Sequence, residues 1–245
     1  MVRQEDLALF RGIAVLAETA DQVRTNILQN GIRGDEGQWR FPISDLRHDV
    51  DRLLAKPDLS FVDTRPPEGS SESFPLICAC GDELGASYYA VKHNTHSNVE
   101  ETSYVIHFSV QASRAYVDGR DFLYPCFQFW DRESSGFVAT QRRALMTLFG
   151  TRIAQYFDKA TASNETQHRI ALCDLACQDQ QIVRSHAKNR TVIAGRHHVV
   201  FSSAFLVKTP LLSAEILGVD VARQQDFTPH LTLDDFLKGN IPSDI

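Results

Sequence analysis

Three short segments, widely separated along the chain, carry residue types that could act together on one ligand. In "LFRGI", Arg11 and Gly12 interrupt a short apolar run. In "FPLICACGDELGASYYA", small residues end a strand-like run, and Tyr88 and Tyr89 follow. In "GRDFLYP", Asp121 stands ahead of an apolar run that ends in proline. An arginine can hold phosphate oxygens by paired, charge-assisted hydrogen bonds, and a carboxylate can stabilise the positive charge that develops as a glycosidic bond breaks.

The order of these segments resembles that of the ADP-ribosyltransferases of the arginine/serine/glutamate type, a family that includes many bacterial toxins. In that family an arginine on the first core strand holds the NAD pyrophosphate, a Ser-Thr-Ser strand end shapes the nicotinamide pocket, and a glutamate precedes an apolar strand. Arg11 matches the arginine, the segment from Cys78 to Cys80 stands at the Ser-Thr-Ser position, and Asp121 matches the glutamate. The resemblance covers roughly residues 5–130 and leaves the rest of the chain unexplained.

The resemblance implies that NAD is the substrate and that Asp121 is the catalytic residue. It assigns the contacts with NAD to Arg11, Gly12, Cys78, Cys80, Tyr88 and Tyr89, with Trp39 as a further candidate for stacking on nicotinamide. The implied partners are a macromolecular acceptor, either protein or nucleic acid, and a neutralising protein if the chain is a toxin that acts inside its own cell. Asp121 is one methylene shorter than the family's glutamate, and Gly119 occupies the position that often engages the acceptor.

Each of these residues also has a purely structural interpretation. Asp121 could be a turn acid that pairs with Arg120 or Arg114, because "VDGRD" suits a hairpin turn. Arg11 could be a surface ion-pair partner. Cys78 and Cys80 alternate along a strand, and small buried hydrophobes are the commonest fate of free cysteines.

A zinc site is a competing and less favoured hypothesis. Cys78 and Cys80 are followed by His93 and His96, and thiolate and imidazole ligands at such spacings can form a tetrahedral site. A Cys-x-Cys pair on a strand, however, fits poorly into the turn of a usual zinc knuckle. We therefore expect zinc to be an unlikely cofactor.

The composition is that of an ordinary folded protein with no bulk positive charge. The chain has 245 residues, is 43% hydrophobic, and carries a formal net charge of −6, so no overall field draws it to nucleic acid or anionic lipid. The N-terminus does not read as a signal peptide, nothing is long and apolar enough for a membrane span, and five cysteines suggest reduced thiols. We expect a cytoplasmic protein. The sequence has no Walker loop, GxGxxG, GxSxG or HExxH motif.

The hydrophobic patterns predict an α+β fold. The mixed N-terminal half is expected to place short strands and helices around a split sheet, and the mostly helical C-terminal half to return one strand, in "HHVVFSSAFLVKTP". Residues 1–135 are the expected NAD-binding core, and residues 136–245 a mainly helical extension packed on it in one compact unit. The run "FLYPCFQFWD" is predicted to be a strand.

Two functions therefore remain open. The preferred one is an NAD-consuming transferase that moves ADP-ribose onto a macromolecule, with simple NAD hydrolysis as a variant. The alternative is a non-catalytic binding or assembly module that engages a partner through the aromatic-rich "YPCFQFWD" segment and the C-terminal helices.

Overall fold

The structure is a computed structural model and describes residues 6–33, 50–56, 75–93, 99–128, 135–223 and 228–245. Its main element is a six-stranded antiparallel sheet. The strands of this sheet are β1 (Asp6–Leu16), β2 (Leu76–Cys80), β3 (Glu101–Gln111), β4 (Ala115–Val117), β7 (Ala204–Lys208) and β8 (Ile216–Val221), in the spatial order β4-β7-β2-β1-β3-β8. Since β7 and β8 come from the chain after residue 135, both halves of the sequence build this sheet.

The sheet is split between its two central strands. β1 pairs with β3 along its whole length, from Asp6 opposite Gln111 to Leu16 opposite Glu101. By contrast, β1 and β2 share one paired position among the described residues, Phe10 opposite Cys80. The two strands therefore diverge on the N-terminal side of Cys80, from Ala79 back to Leu76, which gives the predicted split sheet its physical form.

Two helices lie on opposite faces of the central strands of the sheet. On one face lies α1 (Ala20–Asn30), which ends at Gly31 because this residue adopts a φ of 74° that other residues rarely take. On the other face lies α3 (Glu83–Tyr88), which continues as a π-helical turn over Tyr89–His93. The side chain of Asp82 caps α3 by accepting a hydrogen bond from Gly85 N at 2.7 Å.

Most of the remaining helices follow residue 122 and bury the largest apolar side chains. Gly150, with a φ of 82°, separates two consecutive helices of this part. Asp179, whose backbone is extended, separates the next two helices and caps the second of them through Gln181 N at 2.9 Å. The helices outside the split sheet are α2 (Val50–Ala55), α4 (Leu123–Gln128), α5 (Ser135–Phe149), α6 (Ile153–Ala162), α7 (Thr166–Gln178), α8 (Gln180–His186) and α9 (Leu233–Lys238). In the part of the chain that the structure covers, no helix has the length and apolar character needed to cross a membrane.

The α+β class is confirmed, but the segment after residue 135 returns more strands than the one expected. Besides β7 and β8, it forms a small second sheet from β5 (Ile193–Ala194), β6 (Val200–Phe201) and β9 (Leu231–Thr232), with β5 in the middle. Strands of two residues are too short to show an alternating pattern, and the sequence of β8 contains Gly218 and Asp220, which are uncommon in strands. The extra strands therefore carried no local signal.

The strand expected after Asp121 is wrong, because the apolar run from Phe122 forms α4. A short apolar run does not distinguish a buried strand from a buried helix, and Pro125 is tolerated in the first turn of a helix, where its missing N–H has no partner to lose. Cys126 and Phe127 are fully buried. The "YPCFQFWD" segment was expected to form a surface for a partner, but its residues Cys126 and Phe127 belong to the core.

Candidate functional site

Asp121, at the junction of β4 and α4, is held through its carboxylate and through its backbone carbonyl. Oδ2 of Asp121 accepts a hydrogen bond from the Tyr89 hydroxyl at 3.0 Å. The backbone carbonyl of Asp121 accepts one from Arg196 N at 2.8 Å. Gly195 permits this second contact, because a Cβ there would lie 2.6 Å from the same carbonyl oxygen. Asp121 is half-buried, so the acid is both fixed and accessible.

Tyr89 acts as a hydrogen-bond donor at this position. Burial raises the pKa of its phenol, and the neighbouring Asp121 carboxylate raises that pKa further. The phenol therefore stays protonated at neutral pH and orients the carboxylate. Tyr88 packs edge-on against Tyr89, with the ring centroids 6.5 Å apart.

A second ion pair lies beside Asp121 and reaches Cys78. Asp118 is almost fully buried and binds Arg120 through two hydrogen bonds, from Nε to Oδ1 at 2.8 Å and from Nη2 to Oδ2. The same Nη2 donates to Sγ of Cys78 at 3.1 Å. Arg120 thus connects β2 to the segment that carries Asp121, and its charge is largely committed to Asp118.

The two cysteines of β2 are neutral side chains rather than reactive thiolates. Burial raises the pKa of Cys78, and the nearby Asp118 carboxylate raises it further, against the opposing effect of Arg120 and Arg11. Cys80 is buried, and desolvation places the pKa of its thiol well above the usual range. Both residues therefore act as small lining groups.

Arg11 lies in the split of the sheet. Its Nη1 donates to the backbone carbonyl of Cys78 at 2.8 Å, so it bridges the two diverging strands. Arg11 also lines a cavity of about 690 Å³ between β1, β3 and α1. The cavity lining combines apolar and polar side chains, and besides Arg11 it includes Ile13, Ile27, Ile106, Asn26, Asn30 and Arg33.

Arg11 and Gly12 serve opposite faces of the sheet, since successive residues of a strand alternate. A Cβ on Gly12 would lie 1.9 Å from Ala86 O, so α3 packs directly on this glycine. Tyr88 and Tyr89 lie on the α3 side, whereas the Arg11 cavity lies on the α1 side. The sequence hypothesis placed all these residues around one NAD molecule. The structure distributes them over two compartments joined at the split.

The structure brings several of the predicted residues together and adds others. Asp121 meets Tyr89, and Arg11 meets Cys78. The ion pair of Asp118 with Arg120 and the polar side chains of the cavity lining were not predicted from the sequence. The close spacing of opposite charges in "VDGRD" was the available signal for the ion pair, whereas nothing in the spacing of Asn26 and Asn30 pointed to the cavity. Trp39 lies outside the described residues.

The two arginines considered as structural partners of Asp121 each bind another carboxylate. Arg120 pairs with Asp118, and Arg114 pairs with Glu215 at 2.5 Å. Gly119 leads into α4 rather than into a hairpin, and its closest neighbour is the ring of Tyr124, which a Cβ would approach to 2.9 Å. Gly119 is therefore required for close packing.

Within the described residues no group of three His, Cys, Asp or Glu side chains is placed to bind a metal ion. His96, one of the four residues of the zinc hypothesis, lies outside these residues, as does the side chain of His93.

Comparisons with known proteins give no relatives. No family model matches the chain, and neither the curated proteins nor the solved structures contain a significant match.

Proposed function

We propose that this protein cleaves the bond between nicotinamide and ribose in NAD and transfers ADP-ribose to a macromolecular acceptor. Two observations carry this proposal: a fixed, accessible carboxylate at the junction of β4 and α4, and an arginine in the split of the sheet. Asp121 is oriented by Tyr89, and Arg11 is anchored to Cys78 O at the mouth of a cavity. The contacts of Asp121 with Tyr89 and of Arg11 with Cys78 each join residues far apart in the sequence, so both are properties of the fold.

The proposed reaction needs few chemical groups from the protein. Nicotinamide leaves with the electron pair of the glycosidic bond, which makes the ribose electron-poor at the carbon that is attacked. The acceptor's nucleophile forms the new bond at this carbon and loses a proton. In this reaction Asp121 stabilises the positive charge that develops on the ribose, and Arg11 holds a phosphate group of the ADP portion.

The cavity next to Arg11 is suited to the ADP portion. Its volume of about 690 Å³ lies within the range of roughly 300–1,000 Å³ that is usual for ligand sites. Arg11 and Arg33 supply positive charge, while Ile27 and Ile106 supply apolar surface for a base or ribose. The acceptor class, protein or nucleic acid, stays a prediction, and so does a neutralising partner protein.

The test measures nicotinamide released from NAD by the purified protein, with and without a cell lysate as a source of acceptor. We expect the wild type to release nicotinamide. The rate for Asp121→Asn should be lower by a factor of about 10²–10³, which is the loss typical of removing one charge-stabilising group. Arg11→Lys should raise the NAD concentration needed for half-maximal rate, because lysine cannot form the paired contact. Asp158→Asn is the matched control, since Asp158 is an exposed carboxylate paired with Arg142.

Two results contradict the proposal. One is an absence of nicotinamide release by the wild type under both conditions. The other is unchanged release by Asp121→Asn, which would return Asp121 to a structural role.

A further inference from the structure

β8 is an outer strand of the main sheet and offers an edge that another strand could join. It pairs with β3 on one side, and on its other side no strand follows within the described residues. An exposed strand edge presents backbone donors and acceptors that readily pair with another chain. An additional strand therefore fits beside β8, whereas β4, the other outer strand of the sheet, is buried.

Large apolar side chains are exposed along this edge. Leu217 and Val221 of β8 are 50% and 66% exposed. Leu28 of α1, 39% exposed, lies one helical turn beyond Arg24, and Arg24 Nε donates to the carbonyl of Val219 at 2.9 Å. The helix thus runs beside the strand, and the three apolar side chains flank a single edge.

The direction of the backbone groups follows from the Arg24 contact. The carbonyl of Val219 is bonded by Arg24, so it points away from β3. In an antiparallel ladder every second residue points its N–H and C=O groups to the same side, so Val221 shares this outward direction. Leu217 lies at a β-bulge, where Ile216 pairs with Phe108 and Gly218 with His107.

We propose that a second copy of this chain pairs with β8 in the antiparallel direction, with Val219 opposite Val219 of the second copy. This register places Leu217 opposite Val221 of the second copy, and by symmetry the pair occurs twice. Gly218 then lies opposite Asp220 of the second copy, where the carboxylate meets neither a side chain nor a like charge. Moving the register by two residues in one direction would place the two Asp220 carboxylates opposite each other, which is unfavourable.

Arg24 protects this edge in the free chain. Its guanidinium donates a hydrogen bond to the Val219 carbonyl, the same group that pairs with the second copy in the dimer. Positively charged side chains at sheet edges commonly hinder unwanted pairing. On dimer formation the Val219 N–H of the second copy replaces Arg24 as the donor. The exchange keeps the carbonyl bonded and releases the guanidinium to solvent.

The experiment uses charged side chains to test the register itself. Leu217→Lys and Val221→Glu, made separately, each place a charge opposite an apolar side chain in two symmetric pairs. Each should weaken dimerisation by roughly tenfold or more in sedimentation velocity. The double variant Leu217→Lys/Val221→Glu should recover the dimer, because each introduced lysine then faces an introduced glutamate of the second copy. Within one chain positions 217 and 221 are four residues apart on a strand, about 13 Å, so the rescue cannot arise inside a monomer.

Two controls distinguish an interface effect from misfolding. Leu16→Lys changes an exposed apolar side chain on β1 and should leave the dimer unchanged. Thermal unfolding of all variants should show folded proteins, because the substituted side chains are exposed. A wild type that stays monomeric up to about 100 μM overturns the proposal, as does a double variant that stays as weak as the single ones.

Discussion

The helical part of the protein and the split of the main sheet treat their polar side chains in opposite ways. In the helical part, Asp179 and His186 are 5% and 1% exposed, and their side chains form hydrogen bonds of 2.6–3.0 Å with residues far away in the sequence. At the split, Arg11, Cys78 and Asp121 are only half-buried, and they border a cavity or an accessible junction. The degree of burial thus distinguishes polar groups that stabilise the fold from polar groups that are available to a ligand.

The two regions differ in the free energy that is lost when their polar groups are removed from water. A fully buried charge or imidazole must satisfy its hydrogen bonds within the protein, and losing one partner leaves an uncompensated group. A half-buried group can instead be satisfied by solvent, so its substitution affects stability little. Substitutions in the two regions should therefore have different effects on unfolding and on activity.

The largest loss of stability is expected from Asp179→Ala. Oδ2 of Asp179 accepts hydrogen bonds from Arg152 Nε at 2.8 Å and from the Tyr156 hydroxyl at 2.6 Å, and Oδ1 caps α8 through Gln181 N. Removing this buried acceptor should lower the free energy of unfolding by about 3–5 kcal/mol, measured by urea denaturation.

Asp158→Ala is the matched control for Asp179. Asp158 pairs with Arg142 at 2.7 Å, but both side chains are exposed, so the loss should stay below about 1 kcal/mol. Equal losses in the two variants would show that burial does not separate the two classes of ion pair.

The second effect is a loss of stability in acid that depends on His186. Nε2 of His186 accepts a hydrogen bond from Ala204 N at 3.1 Å, and Nδ1 contacts the carbonyl of Leu148 at 3.0 Å. With Nε2 as acceptor, the Nδ1–H donates to Leu148, so the neutral ring is fully bonded. Burial lowers the pKa of His186 to about 4.

The sign of the pH dependence follows from this lowered pKa. Above the ordinary histidine pKa of about 6.5, the ring is neutral in both the folded and the unfolded chain, and the stabilisation is complete. As the pH falls from there to about 4, the unfolded chain takes up the proton first, so the free energy of unfolding falls by up to about 3 kcal/mol. Unfolding experiments at a series of pH values measure this slope, and His186→Phe should remove it.

His168→Gln provides the control for this slope. His168 lies on α7, is partly exposed and faces Glu165 at 3.3 Å. The variant should keep the acid dependence that His186 produces. If His168→Gln removes the slope and His186→Phe leaves it, the buried ring is not its origin.

The sequence predicted the elements that carry local signals and missed those that depend on long-range packing. Arg11 and Gly12 on β1, the cysteines on β2 and the stop of α1 at Gly31 all follow from patterns within a few residues. Alternation along β1 even implies that Arg11 and Gly12 face opposite sides. The covering of Gly12 by α3 could not be inferred, because it depends on a close approach of backbones that the sequence does not encode locally.

Asp121 illustrates the same limit within one residue. Its position ahead of an apolar run was visible, but the run forms α4 because tertiary packing decides between helix and strand for short apolar segments. Its contact with Tyr89 joins positions 32 residues apart and depends on where α3 ends relative to β4. The sequence alone therefore pointed to Asp121 as the candidate acid. It gave no physical reason to expect a hydrogen bond between Asp121 and Tyr89.

The smallest expected change in stability is that of Asp121→Asn, and it is the most informative. Asp121 is half-buried, and an asparagine can still accept the hydrogen bond from Tyr89 through its carbonyl oxygen. The free energy of unfolding should therefore change by less than about 1 kcal/mol in urea denaturation. A loss comparable to that of Asp179→Ala would instead place Asp121 with the buried, structural carboxylates. A small change in the free energy of unfolding together with a large loss of NAD cleavage is the result expected of a group that acts on a ligand. Asp121→Asn removes only the negative charge, and the fold does not need that charge for its own stability.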